Sequence, residues 1–541
     1  METHVLSKFQ AFLLALVVAA GGFLVAPTAS AAPAITGVSP DNWLNTAGGD
    51  TITVTGSGFM PAMSFTQIAT SGTSNSTCGM GSDGRLYCWG DNGQGQLGDG
   101  STNGSAVPVA VDTSGALAGL GIKQIAVGGY HACVIASDNQ AYCWGYNGSG
   151  QLGNGSTANS PVPVPVTTAG TPLAGLSLKQ ISAGKFHTCV IASNDRAYCW
   201  GGGLFGELGN NTTANSLVPV AVTTAGTPMA GLAFKQIAAG LDYTCAIASN
   251  DQAYCWGYAL YGQLGNGTMG ASSLVPVAVT TAGTPLAGQT LKQISAGSAH
   301  TCVIASDNQA YCWGENAFGG LGNGSTTTSP VPVAVDTTGA LAGLTIKQIT
   351  AGGEHTCVIA SDDEAYCWGE GWFGELGDSL DADSSVPVAV TVSGALAGLS
   401  FKQIMAGYYH VCALASNDQA YCWGDGEFGQ LGNNTWNYVN LDPSVVVASG
   451  GATPIVTVGG VEATDVVVIS DTKMTFTAPP HAAGTYDLLI DFGGGVTVML
   501  TLALTYGARA ALSAAAVPTL GAWALAALAL MLVGAALRRR V

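Results

Sequence analysis

Seven times along the chain, a cysteine is followed ten positions later by a second cysteine that lies within Tyr-Cys-Trp-Gly. Successive pairs are 55 to 57 residues apart, and together they use all 14 cysteines. A period near fifty residues with glycine-rich turns is typical of a β-propeller, in which each repeat hides its apolar face against its neighbours. The repeats therefore predict an all-β ring of seven blades at residues 64–449, and they favour a scaffold over an enzyme. The pairs are Cys78 with Cys88, Cys133 with Cys143, Cys189 with Cys199, Cys245 with Cys255, Cys302 with Cys312, Cys357 with Cys367, and Cys412 with Cys422.

The composition supports an all-β protein and excludes one class of binding partner. Glycine contributes 77 of 541 residues, and charged residues are only 9% of the chain. The net charge is −18, and residues 64–449 contain 25 acidic against 9 basic side chains. Such a surface repels phosphate backbones, so nucleic acid is not expected as a partner.

Both ends of the chain have the pattern of targeting segments. Residues 1–31 have Lys8 near the start, an apolar run over 11–25 and Ala29-Ser30-Ala31 at the close, which predicts a secretory signal peptide. Residues 521–537 are 17 apolar residues followed by Arg538, Arg539 and Arg540. This pattern predicts a membrane helix with the arginines on the cytoplasmic side, and a buried core helix is the alternative. An exported chain of this kind permits disulfides.

Each repeat contains four candidate strands. In residues 121–168 they are 122–126, 131–136, 140–144 and 162–166. Prolines in the last segment place it at a sheet edge. The turn between the second and third strands, Ser137-Asp138-Asn139, predicts a three-residue hairpin with a left-handed third residue. Repeated lysines near the start of the first strand, such as Lys123, are expected to protect strand edges.

The repeats resemble the regulator-of-chromosome-condensation repeat family. The resemblance covers about 385 residues in seven copies, and it implies a seven-bladed propeller. The chain departs from the family in using Asp or Asn at the turn glycine in six repeats, and it lacks the long insertions of the nuclear members, so exchange-factor activity is not expected. In the second repeat the matching residues are Gly129, His131, Val134, Ile135, Tyr142, Trp144, Gly145, Asn147, Gly150, Gln151, Leu152 and Gly153.

Segments on both sides of the repeats resemble the two parts of an immunoglobulin-like IPT/TIG domain. Residues 33–63 contain Ile35 to Pro40 and Gly48 to Phe59, and residues 450–507 contain Val456 to Val461, Val466 to Thr477 and Leu502 to Tyr506. Joined directly they have the length of one β-sandwich. We expect the propeller to be inserted in a loop of this sandwich, with two unrelated β segments as the alternative.

After a linker at 508–516, residues 517–541 resemble the IPTL-CTERM sorting tail of Gram-negative bacteria. The resemblance rests on Val517, Pro518, Thr519 and Leu520, the apolar span and the final arginines. It implies a sorting enzyme of the exosortase type as a partner. The expected location is the inner membrane facing the periplasm, with sorting to the cell surface as a further step.

Motifs for catalysis or metal binding do not emerge, so no catalytic residue, cofactor or metal ligand is assigned. The sequence has no His-Glu-x-x-His, Gly-x-Ser-x-Gly or Cys-x-x-Cys. Asp378, Asp381 and Asp383, with Glu370 and Glu375 nearby, leave a calcium site open, although a solvated acidic face is the favoured interpretation. Five histidines occupy one repeat position, which is typical of blade packing or hydrogen bonding: His131, His187, His300, His355 and His410.

The hairpin register places the two cysteines of a repeat opposite each other. Counting outward from the closing pair of Ala136 and Gln140, Cys133 and Cys143 form a non-hydrogen-bonded pair, the closer kind in an antiparallel ladder. That spacing suits a cross-strand disulfide, so we predict seven, with buried free thiols as the alternative.

One loop position predicts a binding face. The residue before the glycine in the loop after Trp-Gly is aromatic in five repeats, and Leu204, Leu260 and Trp372 lie beside it. Aromatic side chains on one face are typical contact anchors, although they could instead seal the joints between blades. The sequence thus favours a protein-binding or structural module of the envelope. An envelope hydrolase or lyase that uses the propeller mouth, or an inhibitor of a secreted enzyme, remains an alternative. The candidate residues are Phe205, Tyr261, Phe318, Trp372, Phe373 and Phe428.

Overall fold

In a computed structural model, the protein is described at residues 34–39, 44–45, 50–57, 63–393, 396–448, 455–470, 473–491 and 497–507. All regular elements of these residues are β-strands, and they contain no α-helix. The chain divides into two compact units. The larger contains the described residues of Ser57–Ala452 and Val468–Lys473, and the smaller contains those of Ile35–Gly56, Thr453–Val467 and the chain from Met474 onward.

Three strands precede the repeats: β1 (Ala34–Ser39), β2 (Leu44–Asn45) and β3 (Thr51–Ser57). The larger unit then forms seven four-stranded antiparallel sheets, the blades, each from consecutive strands. Blades 1 and 2 are β4 (Phe65–Ala69), β5 (Ser76–Gly81), β6 (Leu86–Gly90), β7 (Ser105–Ala110), and β8 (Ile122–Val127), β9 (His131–Ala136), β10 (Ala141–Gly145), β11 (Ser160–Pro165). Blades 3 and 4 are β12 (Leu178–Ala183), β13 (His187–Ala192), β14 (Ala197–Gly201), β15 (Ser216–Ala221), and β16 (Phe234–Ala239), β17 (Tyr243–Ala248), β18 (Ala253–Gly257), β19 (Ser273–Ala278). Blades 5 and 6 are β20 (Leu291–Ala296), β21 (His300–Ala305), β22 (Ala310–Gly314), β23 (Ser329–Ala334), and β24 (Ile346–Ala351), β25 (His355–Ala360), β26 (Ala365–Gly369), β27 (Ser384–Ala389). Blade 7 is β28 (Phe401–Ala406), β29 (His410–Ala415), β30 (Ala420–Gly424), β31 (Asn440–Val445).

The strands predicted for the second repeat are confirmed to within two residues at each end. The Pro-rich β11 is the edge strand of its sheet. Pro161 and Pro163 have no backbone N–H, and an edge strand has no further neighbour to which these donors would be needed. The hairpin closes through the Ala136 N–H and the Gln140 carbonyl at 3.0 Å, and Asn139 has φ of 61°. The predicted left-handed turn position is therefore confirmed in this repeat.

The hydrophobic core lies between blades. One cluster combines Cys78, Cys88 and Leu97 of blade 1 with Val134 and Trp144 of blade 2. The buried Trp144 indole N–H donates to the Gln96 carbonyl of blade 1 at 2.8 Å. Each blade thus covers its neighbour's tryptophan, which explains why a repeat cannot bury its core alone.

The ring closes through contacts between blades 7 and 1, because every blade is complete within its own repeat. Gln403 in β28 donates to the Ile68 carbonyl at 2.9 Å and accepts from the Ile68 N–H at 3.1 Å. The same Gln-to-Ile pair joins earlier blades, as Gln124 and Ile181 show. The Phe65 N–H also donates to the Asp418 carbonyl at 2.7 Å. Closure therefore repeats the ordinary blade joint.

The smaller unit contains most residues of two sheets that combine strands from before and after the blades, whereas Ala34, Ser57, Val468 to Ser470 and Lys473 of these strands belong to the larger unit. Its later strands are β32 (Ile455–Val458), β33 (Val461–Glu462), β34 (Thr464–Ser470), β35 (Lys473–Thr477), β36 (Gly484–Asp491) and β37 (Thr497–Gly507). The sheet orders are β1-β3-β35-β34 and β2-β37-β36-β32-β33. Ile52, Val54, Met474 and Leu504 are buried in it. The assignment to the IPT/TIG type, with domain bounds at 33–63 and 450–507, stays a prediction.

The structure joins the fourteen cysteines in the seven predicted pairs, each a bond between the second and third strands of one blade. The two Cα atoms of each pair are 4.0 to 4.1 Å apart, and Cys143 lies opposite Cys133 in the ladder, as the turn register predicts. The described residues contain no free cysteine, so the alternative of buried free thiols finds no support. The bonds join Cys78 to Cys88, Cys133 to Cys143, Cys189 to Cys199, Cys245 to Cys255, Cys302 to Cys312, Cys357 to Cys367, and Cys412 to Cys422.

The predicted targeting segments lie outside the described residues: the signal peptide at 1–31, the linker at 508–516, and the tail with Val517 to Leu520 and Arg538 to Arg540. In the portion of the chain that is described, no helix has the length and apolar character needed to cross a membrane.

Candidate functional site

The antiparallel blades give the ring two chemically different faces. One face holds the turns between second and third strands and the links between blades. It holds the six repeated lysines, and four of them pair with the turn aspartate, as Lys179 does with Asp195. We call it the lysine face. These pairs are exposed and contribute about 0–1 kcal/mol each to stability.

The opposite face holds the loops between first and second strands and between third and fourth strands. We call it the aromatic face. Of the nine basic residues at 64–449, eight lie on the lysine face or in its turns, and only Lys185 lies in an aromatic-face loop. The Lys185 ammonium is 5.3 Å from the centre of the Phe186 ring. The charge asymmetry leaves the aromatic face acidic.

The repeated histidines are structural, as their periodicity indicates. His131 is fully buried, and its Nε2 lies 2.7 Å from Thr188 Oγ1 of the next blade. The same Thr188 hydroxyl donates its hydrogen to the Gln151 carbonyl at 3.0 Å, so its oxygen accepts from His131 Nε2. Burial lowers the pKa of His131 to about 3, so the ring is neutral. The His131 ring therefore joins blade 2 to blade 3.

Two variable positions lie side by side in every blade of the aromatic face. One directly precedes the repeated histidine position, and the other directly follows Trp-Gly. In each blade the N–H of the second residue donates to the carbonyl of the first, at 2.8 to 3.2 Å. We call these seven pairs the variable ring: Asn75 with Asp91, Tyr130 with Tyr146, Phe186 with Gly202, Asp242 with Tyr258, Ala299 with Glu315, Glu354 with Glu370, and Tyr409 with Asp425.

Blades 2 and 3 present an aromatic group within the variable ring. Tyr130 stacks on Phe186 with ring centres 5.7 Å apart, and Tyr146 meets Phe186 edge-on at 6.1 Å. All three side chains are partly exposed. Rings that are held by neighbouring blades and still reach solvent form a rigid contact surface.

The aromatic residues predicted from the loop position fall into two kinds. Phe205 packs on Tyr258 of the next blade at 4.7 Å, and Phe373 packs on Tyr409 of the next blade at 5.0 Å. Phe318 is half-buried, whereas Tyr261 and Phe428 are both 37% exposed. The structure therefore uses Phe205 and Phe373 at blade joints and does not gather the five rings into one cluster.

Large apolar side chains beside these joints remain open to solvent. Leu204 is 67% exposed and Trp372 is 63% exposed. Tyr438, which contacts Phe373 at 5.1 Å, is 58% exposed. Exposed apolar side chains on packed neighbours are typical of protein contact sites.

The other side of the variable ring is acidic, and burial raises the pKa of its carboxyl groups. Burial, with repulsion from Glu315 and Glu370, raises the pKa of Glu354 to about 8. Burial and the nearby Asp383 raise the pKa of Glu370 to about 7. Burial raises the pKa of Glu375 well above its usual range, with smaller contributions from Glu370 and Asp425. We call Glu315, Glu354, Glu370 and Glu375 the acidic sector.

The calcium hypothesis gains no support from this geometry. The described residues contain no group of three or more side chains placed to hold a metal ion. Asp383 accepts from the Gly371 N–H at 3.0 Å, and Asp378 accepts from the Leu380 N–H at 3.1 Å. Two of the three loop aspartates thus accept hydrogen bonds from their own loop.

Sequence reasoning missed the first member of each variable pair, including Tyr130, Phe186 and Tyr409. The signal was present, because these residues precede a repeated histidine and change from blade to blade while the flanking scaffold repeats. Only the fold shows that they adjoin the position after Trp-Gly, since the two are separated by a hairpin.

Family models match most of the chain. The RCC1-like domain matches residues 45–341, the regulator of chromosome condensation (RCC1) repeat matches 346–374 and 401–430, and a second RCC1 repeat model matches 362–414. The IPTL-CTERM motif matches residues 515–540, which confirms the predicted type of tail.

Curated relatives agree with the repeat match. The ultraviolet-B receptor UVR8 of Arabidopsis thaliana is 30% identical over 367 residues, which cover 68% of this chain and 78% of UVR8. The human E3 ubiquitin-protein ligase HERC2 is 28% identical over 69% of this chain, a region that is only 7% of HERC2.

Two solved structures share the fold at low identity. Yeast RCC1 (Prp20), solved with Kap60 bound, aligns with a TM-score of 0.58 at 22% identity, covering 73% of this chain and 88% of that one. Human WBSCR16 aligns with a TM-score of 0.58 at 20% identity, covering 74% and 99%. With seven complete blades and these matches, the chain belongs to the regulator of chromosome condensation (RCC1) repeat family.

Proposed function

We propose that this protein is an exported, surface-sorted propeller that binds a partner protein through its aromatic face and performs no catalysis. Propellers of this family are typically binding or regulatory modules, which supports the binding role. The observation that carries the proposal is the variable ring. Seven near-identical blades hold seven different residue pairs at one place, and a repeated scaffold with one variable surface suits recognition better than packing.

The location is proposed from the tail and the cysteines together. An IPTL-CTERM motif at 515–540 supports export and sorting by an exosortase-type enzyme, and seven disulfides suit an oxidising compartment. We infer further that the smaller unit is an IPT/TIG-like domain whose sequence is interrupted by the propeller.

The test compares the two faces in cells. The full-length protein and single-face variants are crosslinked in intact envelopes, and the crosslinked partners are identified by mass spectrometry. Tyr130→Ala combined with Trp372→Ala should abolish the partner crosslink, whereas Lys235→Ala combined with Lys347→Ala on the lysine face should retain it. If only the lysine-face variant loses the partner crosslink, the partner binds the lysine face and the proposal is overturned.

A further inference from the structure

One joint of the ring is not crossed by the chain. At the six other joints a segment leads from one blade to the next, as residues 111–121 do between blades 1 and 2. Blade 7 is the last blade and blade 1 is the first, and the described strands of each come from its own repeat. The joint between them is therefore held by non-covalent contacts, so these two blades can separate furthest when the ring opens locally.

Blade 1 also differs from the other blades in one loop. Between the first and second strands, the six other blades have three residues, as blade 2 has at 128–130. Blade 1 has six residues there, 70–75, and we call them the long loop. Thr70, Gly72, Thr73 and Ser74 of this loop are buried. The extra residues are therefore packed against the ring and do not project into solvent.

The long loop lies at the ring axis. A cavity of about 190 Å³ is lined by Thr70, Ser71 and Gly72 together with first-strand residues of blades 3 to 7. The Gln-to-Ile hydrogen bonds join the first strands from blade to blade, so these strands surround the central channel. A cavity shared by five first strands lies in this channel. The long loop therefore crosses the channel at the aromatic face.

The long loop contacts blades on the far side of the channel. The Gly72 carbonyl accepts a hydrogen bond from Ser298 Oγ of blade 5 at 2.7 Å. A Cβ atom on Gly72 would clash with the Gly352 carbonyl oxygen of blade 6, so the two backbones are in direct contact, which glycine permits. The Ser74 carbonyl accepts from the Tyr408 N–H of blade 7 at 2.9 Å. Blade 1 thus contacts blades 5 and 6, which are not its neighbours in the ring.

We propose that the long loop is a brace that keeps the ring closed at the joint of blades 7 and 1. Blade 1 can move away from blade 7 only if the loop also withdraws from blades 5 and 6, so contacts to three blades oppose the opening. The loop occurs in the blade whose joint the chain does not cross. This inference concerns the stability of the ring and does not depend on the proposed binding function.

Hydrogen exchange of backbone amides, measured by mass spectrometry on the full-length protein in detergent, tests the brace. The reporter amides are those of Phe65 and Ile68, which donate to blade 7. The amides of Phe234 and Ile237 make the same bonds from blade 4 to blade 3 and serve as the internal comparison. Exchange of such amides follows the population of the locally opened state.

Two variants loosen the brace in different ways. Gly72→Ala places a methyl group against the Gly352 backbone, so the loop must withdraw, and exchange at Phe65 and Ile68 should become at least about tenfold faster. Ser298→Ala removes only the hydrogen bond to Gly72 and should accelerate the same amides about three- to tenfold. Exchange at the joint of blades 3 and 4 should stay unchanged in both variants.

Gly115→Ala is the matched control. A Cβ atom on Gly115, in the segment between blades 1 and 2, meets no atom within 4 Å, so this variant should change neither joint. If Gly72→Ala does not fold, Ser298→Ala decides the question.

Unchanged exchange at Phe65 and Ile68 in the folded variants would overturn the inference. An equal acceleration at the joint of blades 3 and 4 would overturn it as well, because the loop would then stabilise the blades in general and not the closing joint.

Discussion

Five blades have a histidine at the repeat position, and one of these five joints lacks the hydrogen bond that the other four share. Histidine Nε2 lies 2.7 to 2.9 Å from a threonine hydroxyl of the next blade in four pairs: His131 with Thr188, His187 with Thr244, His300 with Thr356, and His410 with Thr77. At the joint of blades 6 and 7 the threonine position is Val411, and both ring nitrogens of the buried His355 lack a partner among the described residues. We predict that Val411→Thr stabilises the protein.

The magnitude follows from the groups involved. An unpaired buried donor costs about 1–3 kcal/mol, and a hydroxyl in place of one valine methyl would accept from His355. The hydroxyl hydrogen would also have an acceptor. At the joint of blades 2 and 3, the Gln151 backbone carbonyl accepts from both Thr188 and the Trp200 indole. The corresponding carbonyl at the joint of blades 6 and 7 is that of Glu375, which already accepts from the Trp423 indole. The free energy of unfolding should therefore rise by about 1–2 kcal/mol.

Urea unfolding followed by tryptophan fluorescence at pH 7, with the disulfides intact, measures the change. Thr188→Val should produce the opposite effect, a loss of about 1–3 kcal/mol, by recreating the Val411 situation at the joint of blades 2 and 3. Val134→Thr is the control, because it buries a hydroxyl without an unpaired histidine opposite it and should destabilise. If Val411→Thr destabilises as much as Val134→Thr, the histidine–threonine bond is not what holds the joint.

Three further predictions concern pH, the cysteines and the smaller unit. Burial lowers the pKa of the five repeated histidines to about 3 or 4, so the free energy of unfolding should fall as the pH drops below about 6.5. The raised pKa values of Glu207, Glu354 and Glu370 have the opposite effect, because they make the free energy of unfolding fall as the pH rises from about 4.5 to 8. The thermal midpoint should peak near pH 6, and Glu354→Gln should flatten the alkaline side; a midpoint that climbs steadily to pH 8 contradicts this. Mass analysis after alkylation should detect no free thiol, since each disulfide contributes about 2–4 kcal/mol, and seven or more alkylated cysteines would show reduced blades. Replacement of residues 64–449 by a short Gly-Ser linker should leave a folded sandwich by NMR, and a disordered spectrum rejects the insertion.

Most of the blade follows from short segments of sequence. The spacing of Cys133 and Cys143 across a three-residue turn fixes their register, because antiparallel pairing from a known turn leaves one partner for each residue. Asn139 indicates the left-handed turn position, and the prolines of β11 indicate an edge strand. Each of these properties depends on a few neighbouring residues, so the sequence expresses it directly.

The candidate site depends instead on contacts between distant segments. Phe205 and Phe373 are predicted from the sequence as part of a binding face, but each packs on a ring of the next blade, a relation that the repeat pattern does not contain. The variable pairs likewise join residues on either side of a hairpin, and the raised pKa values of Glu354 and Glu370 follow from the depth at which the ring buries them.

The strands, the turns and the number of blades could thus be derived from the chain alone, because they follow from local patterns and their repetition. Which side chains meet and which remain exposed emerged only from the folded ring, because burial and pairing depend on the neighbouring blade.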